Sequence, residues 1–308
     1  MPRYEQALLV SCEIPWDENE QFLEEPFRHK IGHMLALGFR RMYIFGTAGE
    51  GHAVDTARFE QVAQAFHEET AGKAIDPQVG VIALSTAQFV ERIAIAYQMG
   101  FRMFQISLPS WGALNDHEVL RFFTGVCGAF PECRFLHYNL SRTKRLLSGA
   151  DYRRIIGEVP NLVATKNTSP SVDHTIDLMR HCPELQHFFG EWTFPTGTLW
   201  GECSLLSSWA ALFPAKTAAL FSHAKAGRTA ELFKLHQEYM AVVLNVIEPM
   251  RGHPMMDGAF DKVIARLGGL EMPSRLLSPY DSFPEEIYEQ CRTILHTRYP
   301  DWAPQPDA

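Results

Sequence analysis

Residues 78–107 read QVGVIALSTAQFVERIAIAYQMGFRMFQIS. The run Gln78–Leu84 is almost entirely apolar, Gln88–Met99 repeats its apolar residues at helical spacing, and Arg102–Ser107 is strand-like again. Strands that are apolar on both faces belong to parallel sheets covered by helices. The unit recurs along the chain. Further strand-like runs are Gln6–Ile14, Arg41–Phe45, Arg134–Tyr138, Leu162–Lys166, Gln186–Phe189 and Cys203–Ser208, with amphipathic stretches such as Phe22–Leu37 and Thr56–Thr70 between them. Eight strands, each followed by a helix, within about 200 residues predict an α/β fold, the (β/α)8 TIM barrel. A doubly wound open sheet would announce itself with a glycine-rich first turn, and Pro15-Trp16-Asp17 stands there instead.

After about Phe221 the strand signal stops. Lys225–Val246, Pro254–Leu267 and Pro284–His296 read as helices, the last two with proline near the start, where its missing N–H costs nothing. The expected organisation is a barrel over residues 1–224 that carries the active site, followed by a C-terminal helical appendage over 225–308. Pro300–Ala308 reads as a frayed end.

Composition narrows the function class. The 308 residues are 46% hydrophobic and carry a net charge of −8 without a basic block, which points away from disorder and from nucleic acid. Six cysteines with no CxxC pair read as free buried thiols. The first residues lack the apolar run of a signal peptide, and no stretch approaches the ~18 apolar residues of a membrane span, so a cytoplasmic home and no membrane partner are expected.

Active sites of such barrels sit at the C-terminal ends of the strands. Those ends offer Gly46-Thr47-Ala48-Gly49-Glu50, Pro109-Ser110-Trp111, Tyr138-Asn139, Lys166, Gly190-Glu191 and Ser207-Ser208. Lys166 ends an apolar strand, so its amine would face a partly desolvated barrel mouth. Burial lowers a lysine pKa and leaves a nucleophile suited to a Schiff base with a ketone. A lysine that merely snorkels from a strand end is the plainer alternative. Tyr138, at the matching end of the neighbouring strand, could shuttle a proton in the same cavity or pack as a core tyrosine. His137 alternates to the helical side. The turn Gly46–Glu50 can cradle an anion with successive backbone N–H groups, and Thr47 adds a hydroxyl within reach of Tyr138. Metal chemistry is disfavoured: His29 and His33 are i, i+4 but lack a third ligand. A serine triad lacks its G-x-S-x-G elbow, and no dinucleotide or Walker fingerprint occurs, so no cofactor is expected.

Together these elements resemble the dihydrodipicolinate synthase/N-acetylneuraminate lyase family of class I aldolases. The family's G-T-T-G-E turn matches Gly46-Thr47-Ala48-Gly49-Glu50, and its Y-N-x-P-x-R-T segment matches Tyr138-Asn139-Leu140-Ser141-Arg142-Thr143. Its lysine strand, N-I-x-G-x-K-x-x-S, matches Asn161 to Ser169 with Lys166 in place. The resemblance implies a (β/α)8 barrel with C-terminal helices, a homo-oligomer (tetramer or dimer), and a lysine imine with pyruvate or another 2-oxo acid, with an aldehyde as the candidate second substrate. It makes Lys166 the nucleophile and Tyr138 the proton shuttle. Thr47 would orient Tyr138, and the Thr47 and Ala48 amides would hold the 2-oxo acid's carboxylate, with Gly46 and Gly49 shaping the turn.

The departures bear on the substrate. Ala48 removes one hydroxyl from the turn, a loss of about 0.5–1.5 kcal/mol in carboxylate binding. Trp111 stands where the synthases place a tyrosine of an intersubunit relay. The segment carrying Arg142 is one residue short and has no proline, so Arg142 is a loose match to the synthases' substrate-binding arginine. Gly190-Glu191-Trp192 differs from the carboxylates that the lyases offer to sugar hydroxyls. These changes argue against either enzyme itself. Trp111 and Trp192 could line a flatter, more apolar subsite or simply pack at loops or an interface. An aldolase and a dehydratase share the imine, and the sequence does not separate them. The alternatives are a non-catalytic 2-oxo-acid binder and a phosphosugar barrel enzyme, the latter disfavoured by Glu191 where phosphate would bind.

Overall fold

A computed structural model describes residues 1–304. Eight parallel strands close on themselves in sequence order: β1 Leu8–Ser11, β2 Arg41–Ile44, β3 Asp76–Val81, β4 Met103–Ser107, β5 Arg134–Asn139, β6 Leu162–Asn167, β7 Gln186–Phe189 and β8 Ser204–Ser207. Between and after them run α1 Glu24–Ala36, α2 Thr56–Thr70, α3 Thr86–Met99, α4 Asp116–Cys127, α5 Gly149–Glu158, α6 Val172–His181, α7 Phe194–Thr198 and α8 Pro214–Lys225. The TIM barrel expected from the strand period is the fold.

Local chemistry sets the helix starts. Asp55, Ser85, Asn115, Ser148 and Ser171 each accept a hydrogen bond from a backbone N–H of the first turn of α2 to α6, with full capping boxes at Asn115/Glu118 and Ser148/Asp151. The alternation of strand side chains divides the core into two shells. Leu9, Tyr43, Met103, Leu136, Ala164, Phe188 and Leu206 fill the barrel interior. Their strand neighbours, among them Val10, Met42, Ile44, Phe104, Ile106, Phe135, Phe189 and Leu205, pack outward under the helices. His137 takes the outward side as expected, its Nδ1 lying 2.6 Å from the hydroxyl of Tyr152 on α5.

Three more helices follow: α9 Thr229–Val246, α10 Asp257–Leu267 and α11 Glu285–Arg298. The single helix expected from Lys225 breaks after α8, because Gly227 turns the chain with a φ of +67°. The C-terminal end departs from the frayed segment expected. Trp302 stacks edge-on against Phe213 and Tyr239, with centroids 5.2 and 5.9 Å apart, and Ala303 is buried. Residues 305–308 of that segment lie outside the described residues. All six cysteines are buried and unpaired. No helix among the described residues is long and apolar enough to cross a membrane.

Candidate active site

The strands deliver the site in register. Ser11 on β1 pairs with Tyr43 on β2, and Tyr138 on β5 pairs with Lys166 on β6. All four stand at the C-terminal end of the barrel, where a cavity of about 250 Å³ opens. Its walls include Tyr43, Thr47, Ala48, Tyr138 and Lys166 from the barrel, and Asp257 and Asp261 from α10.

Lys166 is 2% exposed. Its ammonium is sandwiched between two tyrosines: Nζ lies 3.8 Å from the ring centroid of Tyr138 and 4.2 Å from that of Tyr43. It donates a hydrogen bond to the Tyr43 hydroxyl at 2.9 Å. Burial pulls its pKa down to about 7, against the pull of the Asp261 and Asp257 carboxylates toward the charged form. Desolvation thus favours the unprotonated form of this amine, the form with a free lone pair. Glycine at position 46 makes room for it, since a Cβ there would stand 3.3 Å from Nζ and 2.5 Å from the Tyr43 ring.

Tyr138 presents its hydroxyl to Thr47, with the two oxygens 3.2 Å apart. Desolvation and the nearby Asp257 push the phenol up to about 12, while the Thr47 and Thr168 hydroxyls work the other way. The turn after β2 closes on bonds from Glu50 N to Thr47 O and from Gly51 N to Gly46 O, both 3.1 Å. The donors of both bonds lie downstream of the two turn residues that line the cavity. Gly49 admits no side chain, since its Cβ would meet Phe45 N at 2.8 Å and Cys12 O at 2.9 Å. Glu50, in the left-handed region at φ 53°, points away from the cavity. It pairs with Lys262 on α10 at 2.6 Å and accepts from Trp16 Nε1 at 2.9 Å and Leu277 N at 2.6 Å. This carboxylate clamps the C-terminal helices onto the barrel mouth.

The other expected residues divide. Glu191 lines the cavity, accepts from Ser207 Oγ at 2.5 Å, and burial raises its carboxyl pKa. Gly190 precedes it and shapes the turn after β7 without lining the cavity. Arg142 reaches the rim from a short 3-10 turn, where Asp257 takes it in a two-pronged pair at 2.8 and 3.0 Å. Trp111 is 83% exposed and Trp192 is 54% exposed, and neither lines the cavity. The apolar subsite imagined for them is not built within this chain.

The sequence reading missed Tyr43, Asp257, Asp261 and Thr168, which line the cavity together with Ser208 from the strand ends it offered. Tyr43 was within reach, for it lies one strand alternation before the turn that was singled out. Asp261 was not. It is a buried carboxyl raised to about 7 by desolvation and by the charge of Asp257, and only the packing of α10 over the barrel puts it there. Among the described residues, no cluster of three His, Cys, Asp or Glu side chains is arranged to hold a metal.

Against known proteins, the model of the dihydrodipicolinate synthetase family matches residues 5–298. The N-acetylneuraminate lyase of Salmonella typhimurium is 23% identical over 198 residues, 64% of this chain and 66% of the relative. The chain thus spans just under two thirds of the curated relatives it matches. Among solved structures, dihydrodipicolinate synthase of Aquifex aeolicus superposes with a TM-score of 0.85 at 18% identity, covering 98% of this chain and 100% of that one. A prophage protein of the same family from E. coli K12, solved in complex with pyruvate, gives 0.84 at 17% identity over 94% and 97%. These likenesses share the barrel and its C-terminal helices. By its sequence from residue 5 to residue 298, the chain belongs to the dihydrodipicolinate synthetase family.

Proposed function

We propose that this protein is a Schiff-base-forming lyase, an aldolase or dehydratase, acting on pyruvate or a pyruvate-linked 2-oxo acid, and that it is neither dihydrodipicolinate synthase nor sialic acid lyase itself. The observation that carries the reading is Lys166: a buried amine, held at about pKa 7 beside two tyrosines, on the wall of a cavity that also contains the Thr47–Ala48 turn. A structural lysine gains nothing from such a place, because a buried amine without its charge is a cost to folding. An amine that must attack a ketone needs it.

In this reading the carboxylate of the 2-oxo acid rests on the amides of Thr47 and Ala48. Lys166 Nζ attacks the adjacent carbonyl carbon, and Tyr138, aligned by Thr47, supplies and recovers the proton at oxygen. The protonated imine then accepts the electron pair released when the neighbouring bond breaks. Trp111, projecting from the loop after β4, and the exposed apolar side chains Val172, Trp192, Leu199 and Trp200 on and beside α6 and α7 support self-association. Light scattering should return more than one chain's mass, and Trp192→Glu should lower it.

The decisive experiment is borohydride trapping with pyruvate, read by intact mass and peptide mapping. A stable adduct confined to Lys166, absent in Lys166→Ala, is the expected result. No adduct, with a homologous enzyme labelled in parallel, would remove the imine from the proposal.

A further inference from the structure

Among the described residues, four carboxyl side chains are buried: Glu13, Glu50, Glu191 and Asp261. Three are answered by a close neighbour. Glu13 pairs with Lys30 and Glu50 with Lys262, while Glu191 accepts from Ser207 Oγ at 2.5 Å. Asp261 stands apart: among the described residues no ion pair and no hydrogen bond as short as these holds it, and it lines the cavity with Lys166, Asp257 and Glu191. Helix formation gives no reason for it. Asp257, the first residue of α10, gains from the helix dipole, but that gain fades within the first turn and Asp261 lies beyond it. The two acids are i, i+4, a spacing at which like charges destabilise a helix. Around Asp261 the buried face of α10 is otherwise Ala259, Val263, Ile264 and Ala265, with Lys262 taken by Glu50.

The environment suits this carboxyl to moving a proton. Desolvation and the charge of Asp257 raise it to about 7, while the Ser208 hydroxyl, Lys166 and Lys30 pull the other way. A group poised there can take a proton in one direction of a reaction and return it in the other. The Tyr138 phenol, pushed up to about 12, holds its own proton near neutral pH and is a poor acceptor for another. The cavity wall also limits what lies beside Asp261. Among the described residues that line it, Lys166 is the one cation, against the carboxyls of Glu191, Asp257 and Asp261, and Arg142 is held by Asp257. A second anionic group on the substrate would meet like charge there with no counter-ion. Leu206, Phe260 and Ile264 offer apolar wall instead. The volume of about 250 Å³ falls below the ~300–1,000 Å³ of drug-sized pockets, so the reactants are small.

We propose that Asp261 is the acid–base residue of carbon–carbon cleavage, serving the oxygen on the fourth carbon of a 4-hydroxy-2-oxo acid whose far end is short and uncharged. This rests on the imine reading of the site. With the substrate held as the Lys166 iminium, the Asp261 carboxylate takes the proton of the C4 hydroxyl. The O–H pair becomes the second C4–O bond, and the C3–C4 bond breaks. Its pair forms the C2–C3 double bond as the C=N π pair moves to nitrogen, giving a neutral enamine. An aldehyde leaves and Asp261 remains as the carboxylic acid, so one cation and one anion have become neutral groups and the protons balance. Condensation is the reverse, with Asp261 giving its proton to the aldehyde oxygen.

The test uses the whole protein with 4-hydroxy-2-oxopentanoate as probe, reading pyruvate release beside borohydride trapping of pyruvate on Lys166. Asp261→Asn keeps the shape of the side chain and removes the proton acceptor. At a pH above the Lys166 titration it should trap pyruvate as the wild type does, yet release pyruvate from the probe about 10²-fold more slowly. Asp261→Ala carries the test should the asparagine variant fail to fold: it should lose as much and regain part of the rate in formate, which a merely structural role would not allow. The analogue ending in a second carboxylate, 4-hydroxy-2-oxoglutarate, should show a kcat/KM at least about 10-fold lower in the wild type. Cleavage at the wild-type rate in Asp261→Asn, loss of trapping and cleavage together, or a wild type that traps pyruvate but cleaves neither compound overturns this proposal while leaving the imine in place. Preference for the analogue with two carboxylates overturns the uncharged end. Absence of any adduct in the wild-type protein overturns the imine reading and this one with it.

Discussion

Lys166 and Asp261 line one small cavity, and each is held near a pKa of about 7, the lysine lowered and the carboxyl raised by desolvation. Their pH signatures therefore oppose each other. Between about 7 and its ordinary value of 10.5, Lys166 binds fewer protons folded than unfolded, so its burden on stability is full below 7 and fades as pH rises. Asp261 binds more protons folded than unfolded between 3.8 and about 7, so its burden grows over that window. Replacing the amine with an apolar chain, Lys166→Met, should stabilise the fold by roughly 1–4 kcal/mol near pH 6, with the gain shrinking toward pH 10. Denaturant melts at several pH values would show it. For the chemistry, adduct formation should rise as pH passes through about 7. Asp261→Asn removes a charge that favours the ammonium. It should move that rise to lower pH, as trapping rates against pH would report, with Asp257, Tyr43 and Tyr138 left facing the amine.

At the level of elements, α10 is the lid of the site, and two ion pairs tie it down very differently. Glu50–Lys262 is buried on both sides, with side-chain exposures of 1% and 0%. Arg142–Asp257 is nearly half exposed on both sides, at 45% and 44%. Removing one partner of a buried pair strands the other, whereas water replaces a partner at the surface. Glu50→Gln should cost about 3–5 kcal/mol. Asp257→Asn should cost under about 1 kcal/mol and instead release Arg142 at the rim, changing KM for an anionic substrate more than stability. Chemical denaturation beside steady-state kinetics separates the two. The glutamate of the glycine turn is thus a strut for α10 that points away from the cavity.

Across the whole molecule, the end of the described chain closes a seam between the barrel and the last helices. Trp302 stacks on Phe213, which precedes α8, and on Tyr239 of α9, and the Lys216 ammonium lies 4.7 Å from its ring centroid. Being only partly buried, Trp302→Ala should cost about 2 kcal/mol, short of the range for a fully buried tryptophan. A lower denaturation midpoint with adduct formation on Lys166 unchanged is the expected outcome, because the seam lies away from the residues that line the cavity.

The strand period is a local property, and it was legible: continuous apolar runs, with β2, α2 and β7 bounded almost as read. Lys166, Tyr138 and Thr47 were legible too, because the barrel rule sends strand ends to one place. What the chain alone did not disclose depends on elements far apart in sequence. Asp261 reaches Lys166 only because α10 folds back over a mouth built about a hundred residues earlier, and Trp302 is ordered only by the surfaces of α8 and α9. Trp111 and Trp192 stand at strand ends as the barrel rule requires, yet their loops carry them outward. Position along a strand decides which end of the barrel a residue occupies; whether it faces the cavity, a partner helix or solvent is decided by how distant segments pack.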